Sequence, residues 1–183
     1  MVKFELYHKL YTIQIGIDNY QTLPKLEGCV SSAEKFEKLF ESLGAINVGT
    51  LKNQDATNGK ILDTFIKLRS TLEREVEMEK ETTKSMGRRS LKAKGKKEVK
   101  TLKEPADNLL VLFFSGHSHE KREGGQMSHY ICPTNFDKDN LLSTAINLFE
   151  LKQKIGTYNC KQVLFILDCP FSKRVLLRFV ENF

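Results

Sequence analysis

Two residues of this chain carry the chemistry of a nucleophile and its base, Cys169 and His117. A thiol attacks only as thiolate, and an imidazole in hydrogen-bond reach can take its proton and later return it to a leaving group. The two lie 52 residues apart, a separation that a fold can close. Each stands at the end of an apolar run: LLVLFF (109–114) leads into Ser115-Gly116-His117, and KQVLFIL (161–167) ends in Asp168-Cys169. The other cysteines, Cys29, Cys132 and Cys160, are scattered and form no CxxC pair. They read as reduced thiols, not as a disulfide framework. His117, His119, His129 and Cys132 have no compact zinc-ligand spacing. The absence of GxGxxG and GxxxxGK[ST] patterns speaks against a nucleotide-binding fold.

These positions need elements to hold them. Residues 10–17 (LYTIQIGI) are β-branched and apolar and read as a buried strand closed by a turn at Asp18-Asn19. Ala33, Phe36, Leu39, Phe40 and Leu43 recur at helical spacing, with Ser31 or Ser32 as the expected cap and Gly44 as the expected C′ glycine. A short strand is expected over 46–51, then a helix from Thr57 that fades near Glu75. The runs 109–114 and 161–167 read as central strands, 128–132 as a small strand, and a helix is expected from about Leu148. A last amphipathic helix is expected over 172–180. Alternating apolar strands and helices predict an α/β fold, a mostly parallel sheet wrapped by helices. In such sheets function gathers at the carboxyl ends of the strands. That rule singles out Asp18-Asn19, Gly116-His117 and Asp168-Cys169.

The chain has 183 residues, 40% hydrophobic and 28% charged, with a net charge of +6. This suits one domain with a core. The charge is local: residues 80–103 hold ten Lys/Arg and two Glu, leaving 19 basic against 21 acidic residues elsewhere. Residues 77–104 read as a basic, disordered insertion within a single domain, open to proteolytic nicking. Its GRRSLKAKGKK run reads as a solvated loop, or as a nuclear-import or acidic-partner patch. No run is long enough to cross a membrane, and MVKFELYHKL does not read as a signal peptide. A cytoplasmic or nuclear location is expected, without membrane or nucleic-acid partners.

Four segments are similar to the caspase-type peptidases, the group of caspases, metacaspases and paracaspases: YTIQIGIDNYQTLPKLEGCVSSA, NLLVLFFSGHS, HYICPTN with STAINLFEL, and KQVLFILDCPFS. The order, with His about 50 residues before Cys, fits that family. The GCV after LPKLE resembles metacaspases and their bacterial relatives most. The resemblance implies a three-layer α/β/α domain of the large-subunit type, a cysteine-type endopeptidase activity and a His–Cys dyad. It names no cofactor beyond the calcium to which many metacaspases respond; no EF-hand loop is present to hold it.

The departures from the family pattern carry as much information. Metacaspase-type strands end Asp-X-Cys. Here Asp168 matches the Asp, Cys169 fills the X position, and Pro170 takes the nucleophile's place. A one-residue shift turns a side chain another way, which points Cys169 toward the core. The family uses the nucleophile's backbone N–H as an oxyanion donor, and proline has none; losing one such donor costs ~10²–10³ in rate. The other donor position, a glycine in the family, is Ser118. The family's pocket for a basic substrate side chain pairs two aspartates; Asp168 matches one, and Ser32 stands at the other. The strands of a small subunit are not found before Phe183, which leaves an expected open sheet edge that could pair with another chain. Three readings follow. The chain is an inactive or impaired caspase homologue that acts through a protein partner, as a homodimer or heterodimer. It is an active endopeptidase with Cys169 as nucleophile and His117 as base. Or it is a piece of a longer protein with little function alone.

Overall fold

A computed structural model describes residues 9–87, 108–123, 125–158, 160 and 162–169. The expected last helix (172–180) and Pro170 lie outside the described residues.

The apolar runs form a four-stranded parallel sheet in the order β2-β1-β3-β7: β2 is Ile46–Lys52, β1 Lys9–Gly16, β3 Asn108–Ser115 and β7 Gln162–Asp168. Registers run straight across: Gly16 pairs with Ser115 and with Lys52, and Ser115 pairs with Asp168. Four strand ends therefore finish in one row, which is the geometric reason that residues distant in sequence meet there.

Strand alternation sorts the side chains by face. Tyr11, Ile13 and Ile15 of β1 and Leu110, Leu112 and Phe114 of β3 are fully buried on one face. There they pack with Ile61, Phe65, Leu68 and Leu72 of helix α2 (Asn58–Gly87) and with Leu148, Leu151 and Ile155 of α4 (Leu148–Gly156). The other face carries α1 (Cys29–Ser42), where Phe36 stacks on Phe113 at 4.0 Å between ring centroids. Gly16 allows α1 to lie close: a Cβ there would overlap the Cys29 carbonyl and the Ala33 side chain. Helices on both faces of a parallel sheet make the three expected layers.

A smaller antiparallel sheet in the order β4-β5-β6 (Ser118–Glu123, Gln126–Ile131, Ile146–Asn147) follows directly on β3. Its outer side, with the short helix α3 (Leu141–Thr144), builds a second core of Tyr130, Cys132, Phe136, Leu141 and Ala145. Tyr20 packs against both cores.

Four elements differ from the sequence expectation. The run 161–167, expected as a central strand, forms β7, which among the described residues pairs only with β3 and has no buried residue. Helix α1 starts at Cys29, and neither Ser31 nor Ser32 caps it. The Asp18 carboxylate does so from the end of β1, accepting the Cys29 N–H at 2.8 Å and the Val30 N–H at 3.3 Å, the stabilising place for a negative charge on a helix. Helix α2 does not fade at Glu75. Glu75 is held there by the Tyr11 hydroxyl and by Lys9 Nζ at 2.9 Å, and the helix runs on to Gly87. Residues 77–87 of the segment read as an insertion are thus helical, while 88–104 apart lie outside the described residues. Glu77, Met78, Glu79, Lys80 and Glu81 are good helix formers and no proline interrupts the segment, which carries those turns even without an apolar face. Strand β4 (SHEKRE) was not expected, because its charges resemble no strand; pairing with β5 places Glu120 opposite His129 and overrides weak propensity.

Candidate active site

The chain leaves β3 through Ser115-Gly116 and turns at His117 into β4. His117 is gripped from one loop, residues 18–28, that joins β1 to α1. Its backbone N–H donates to the Tyr20 hydroxyl at 2.8 Å, and its ring lies edge-on to the Tyr20 ring at 4.8 Å between centroids. Its Nε2 is 2.9 Å from the Pro24 carbonyl. A carbonyl only accepts, so Nε2 carries the proton, and in the neutral ring Nδ1 keeps its lone pair. That is the form a general base requires.

Cys169 follows β7 and is partly buried against the main core. Its thiol hydrogen-bonds with Ser118. Burial pushes the thiol up to about 12; the Ser118 hydrogen bond works against this and the neighbouring Asp168 carboxylate adds to it. Ser118 pairs with Ile131 in the β4–β5 ladder, so the expected oxyanion residue stands immediately beyond His117, at the start of β4.

Asp168 ends β7 on the exposed side. Its Oδ2 accepts the Ser115 hydroxyl at 2.8 Å, and its backbone carbonyl accepts the Gly116 N–H at 3.3 Å. The Cys29 thiol at the start of α1 meets the same group. Burial raises its pKa, its hydrogen bond with Ser115 opposes the rise, and the charges of Asp18 and Asp168 add to it. Ser32 lies three residues along α1 from Cys29, on the same helix face. Its hydrogen bond within the helix is the backbone one to Gly28. The structure therefore gathers Asp168, Ser115 and Cys29 directly and brings Ser32 in by helical position. Asp18 accepts the first N–H groups of α1 with both carboxylate oxygens, and both Asp18 and Asp168 bring negative charge to this cluster.

His119 and His129 are not part of it. His119 packs among Tyr130 and Phe136, and His129 Nδ1 is 3.3 Å from Glu120 across the β4–β5 ladder. Among the described residues no group of three or more His, Cys, Asp or Glu could hold a metal ion. No described helix is long and apolar enough to cross a membrane.

Four participants were missed from sequence: Tyr20, Pro24, Ser115 and Cys29. Tyr20 and Pro24 touch His117 across 97 and 93 residues of chain, and no local pattern marks such contacts. Ser115 could have been found, because a hydroxyl at the last position of a buried strand belongs to the functional end of the sheet.

The deeply buried thiols give the protein a pH dependence of its own. Burial pushes Cys132 up to about 12 and Cys160 up to about 11, against an ordinary value near 9. Both groups stay protonated in the folded chain while they ionise in the unfolded one. Their contribution is complete below about pH 9 and is lost as pH rises toward the folded values. Each lost proton adds a slope of about 1.4 kcal/mol per pH unit. The urea midpoint will fall between pH 8.5 and 10.5, and Cys132→Ala with Cys160→Ala will flatten that fall; equal steepness in the double variant would contradict it.

The caspase-domain family model matches residues 11–176. A protein of Geobacter sulfurreducens known from a crystal structure is similar in fold, with a TM-score of 0.55 and 17% identity over 88% of this chain and 50% of that one. The chain thus spans about half the length of that protein. The search of curated proteins gave no match. With nearly all of its length matched by the family model, the chain belongs to the caspase-domain family of cysteine peptidases.

Proposed function

We propose that this chain is a metacaspase-like caspase domain that binds a peptide or protein partner without cutting it. The observation that carries the reading is the state of Cys169. Its thiol is partly buried against the main core and hydrogen-bonds with Ser118, and that burial pushes it up to about 12, away from the thiolate a nucleophile needs. Pro170, at the family's nucleophile position, can supply neither sulfur nor N–H. The binding half of the site is kept: Asp168, held by Ser115, offers a carboxylate to a basic side chain, with Cys29 and Ser32 as neutral neighbours. Ser118 holds the second oxyanion position. The partner side of the reading rests on β7. Among the described residues it pairs only with β3, and Leu164 on it is 37% exposed. Such an edge suits addition of a strand from a second copy or another protein, burying about 1,000 Å² or more. A cytoplasmic or nuclear setting goes with this reading, and no cofactor enters it.

One observation favours the alternative, an active His117/Cys169 dyad: the His117 ring is held with Nδ1 as the free base. Calorimetry with an arginyl peptide, followed by mass spectrometry of the same sample, separates the two. Binding with the peptide intact supports a binding domain; a cleaved peptide, with cleavage lost in His117→Ala, sinks it.

A further inference from the structure

We propose that Tyr20 is the positioning residue for His117, the group that decides which imidazole nitrogen meets the Pro24 carbonyl and which is left as the base. A carbonyl accepts equally from either ring N–H, so Pro24 alone does not choose between the two tautomers. The choice falls to whatever fixes the ring's rotamer. Tyr20 does this twice. Its hydroxyl takes the His117 backbone N–H at 2.8 Å, which fixes the corner between β3 and β4, and its ring packs edge-on against the imidazole. Gly116 makes the approach feasible, because a Cβ at that position would overlap the Tyr20 hydroxyl and press on the Phe114 ring.

Tyr20 is itself held rigidly. Asn53, in the left-handed region at φ 45°, accepts the N–H groups of Asp18 at 2.9 Å and Asn19 at 3.0 Å. Thr134 takes the loop from the other side, donating to the Asn19 carbonyl at 2.9 Å and accepting the Gln21 N–H at 3.1 Å. Tyr20 then bridges the two cores, so its position is fixed by most of the fold. Burial holds its proton on, which keeps the phenol neutral beside the imidazole. The inference concerns the geometry of one ring and stands whether or not the chain hydrolyses peptides.

Nitrogen NMR of the His117 ring tests it in the full chain. The native protein will show one tautomer, protonated at Nε2. Tyr20→Phe removes only the hydroxyl; the ring signals will move toward averaging between tautomers, and the His117 amide will exchange about tenfold faster. Gly116→Ala displaces the same hydroxyl from the other side and will move the ring signals in the same way. Leu72→Ala, a core change away from the site, will lower stability yet leave those signals native. Ring signals in Tyr20→Phe and Gly116→Ala identical to those of the native chain would overturn the proposal.

Discussion

Asp168→Asn will weaken binding of an arginyl peptide by about tenfold to a hundredfold while leaving an alanyl peptide of the same length little changed. The figure follows from removing one partner of a charge-assisted hydrogen bond that binding shields from water. Asp168 is exposed in the free chain, so the charge costs little to keep when the site is empty. The Ser115 hydroxyl occupies Oδ2, which leaves Oδ1 to meet a guanidinium. Asn keeps the shape and loses the charge, so the loss reads the charge and not the packing. Titration calorimetry at two salt concentrations checks it, because the native affinity should fall with salt more steeply than that of the variant. Equal affinity for the arginyl peptide in both proteins would remove Asp168 from the binding site.

The second large effect lies at Pro170. Placing cysteine there returns a thiol and a backbone N–H to the position the family uses. An ordinary thiol near 9 is ionised about 10³ times more often at pH 7 than one pushed up to about 12. Pro170→Cys will therefore be alkylated at residue 170 by an arginyl chloromethyl ketone at least about 100-fold faster than Cys169 is in the native chain. The reaction will depend on His117, because the imidazole is already held with its base nitrogen free. Peptide mapping by mass spectrometry locates the adduct. Labelling at 170 that is indifferent to His117→Ala would show that the imidazole does not reach the nucleophile position.

The strands and their order of use were legible in the residues. LLVLFF reads as a buried parallel strand and is one, whereas KQVLFIL, equally apolar, forms β7, which pairs only with β3 among the described residues and has no buried residue. The rule that chemistry gathers at the carboxyl ends of strands pointed to His117, Asp168 and Cys169. What was not legible depends on contacts distant in sequence. The α1 cap came from Asp18, 11 residues before the N–H it meets, so a local search chose Ser31 and Ser32 instead. The grip on His117 comes from a loop more than 90 residues away. Strand β4 was hidden because SHEKRE owes its form to β5. Helix α2 was read short because an apolar stripe ends at Leu72, while helix propensity carries the backbone on to Gly87.

The central claim is that Cys169 is not a nucleophile. The most direct measurement treats the native protein at pH 7 with arginyl and aspartyl peptide-ketone electrophiles, with and without calcium, and maps adducts by mass spectrometry. The account predicts no selective adduct at Cys169 in a folded protein whose four thiols are all counted as free after unfolding. A Cys169 adduct that forms with the native chain and disappears in His117→Ala would contradict it and make the domain a working peptidase.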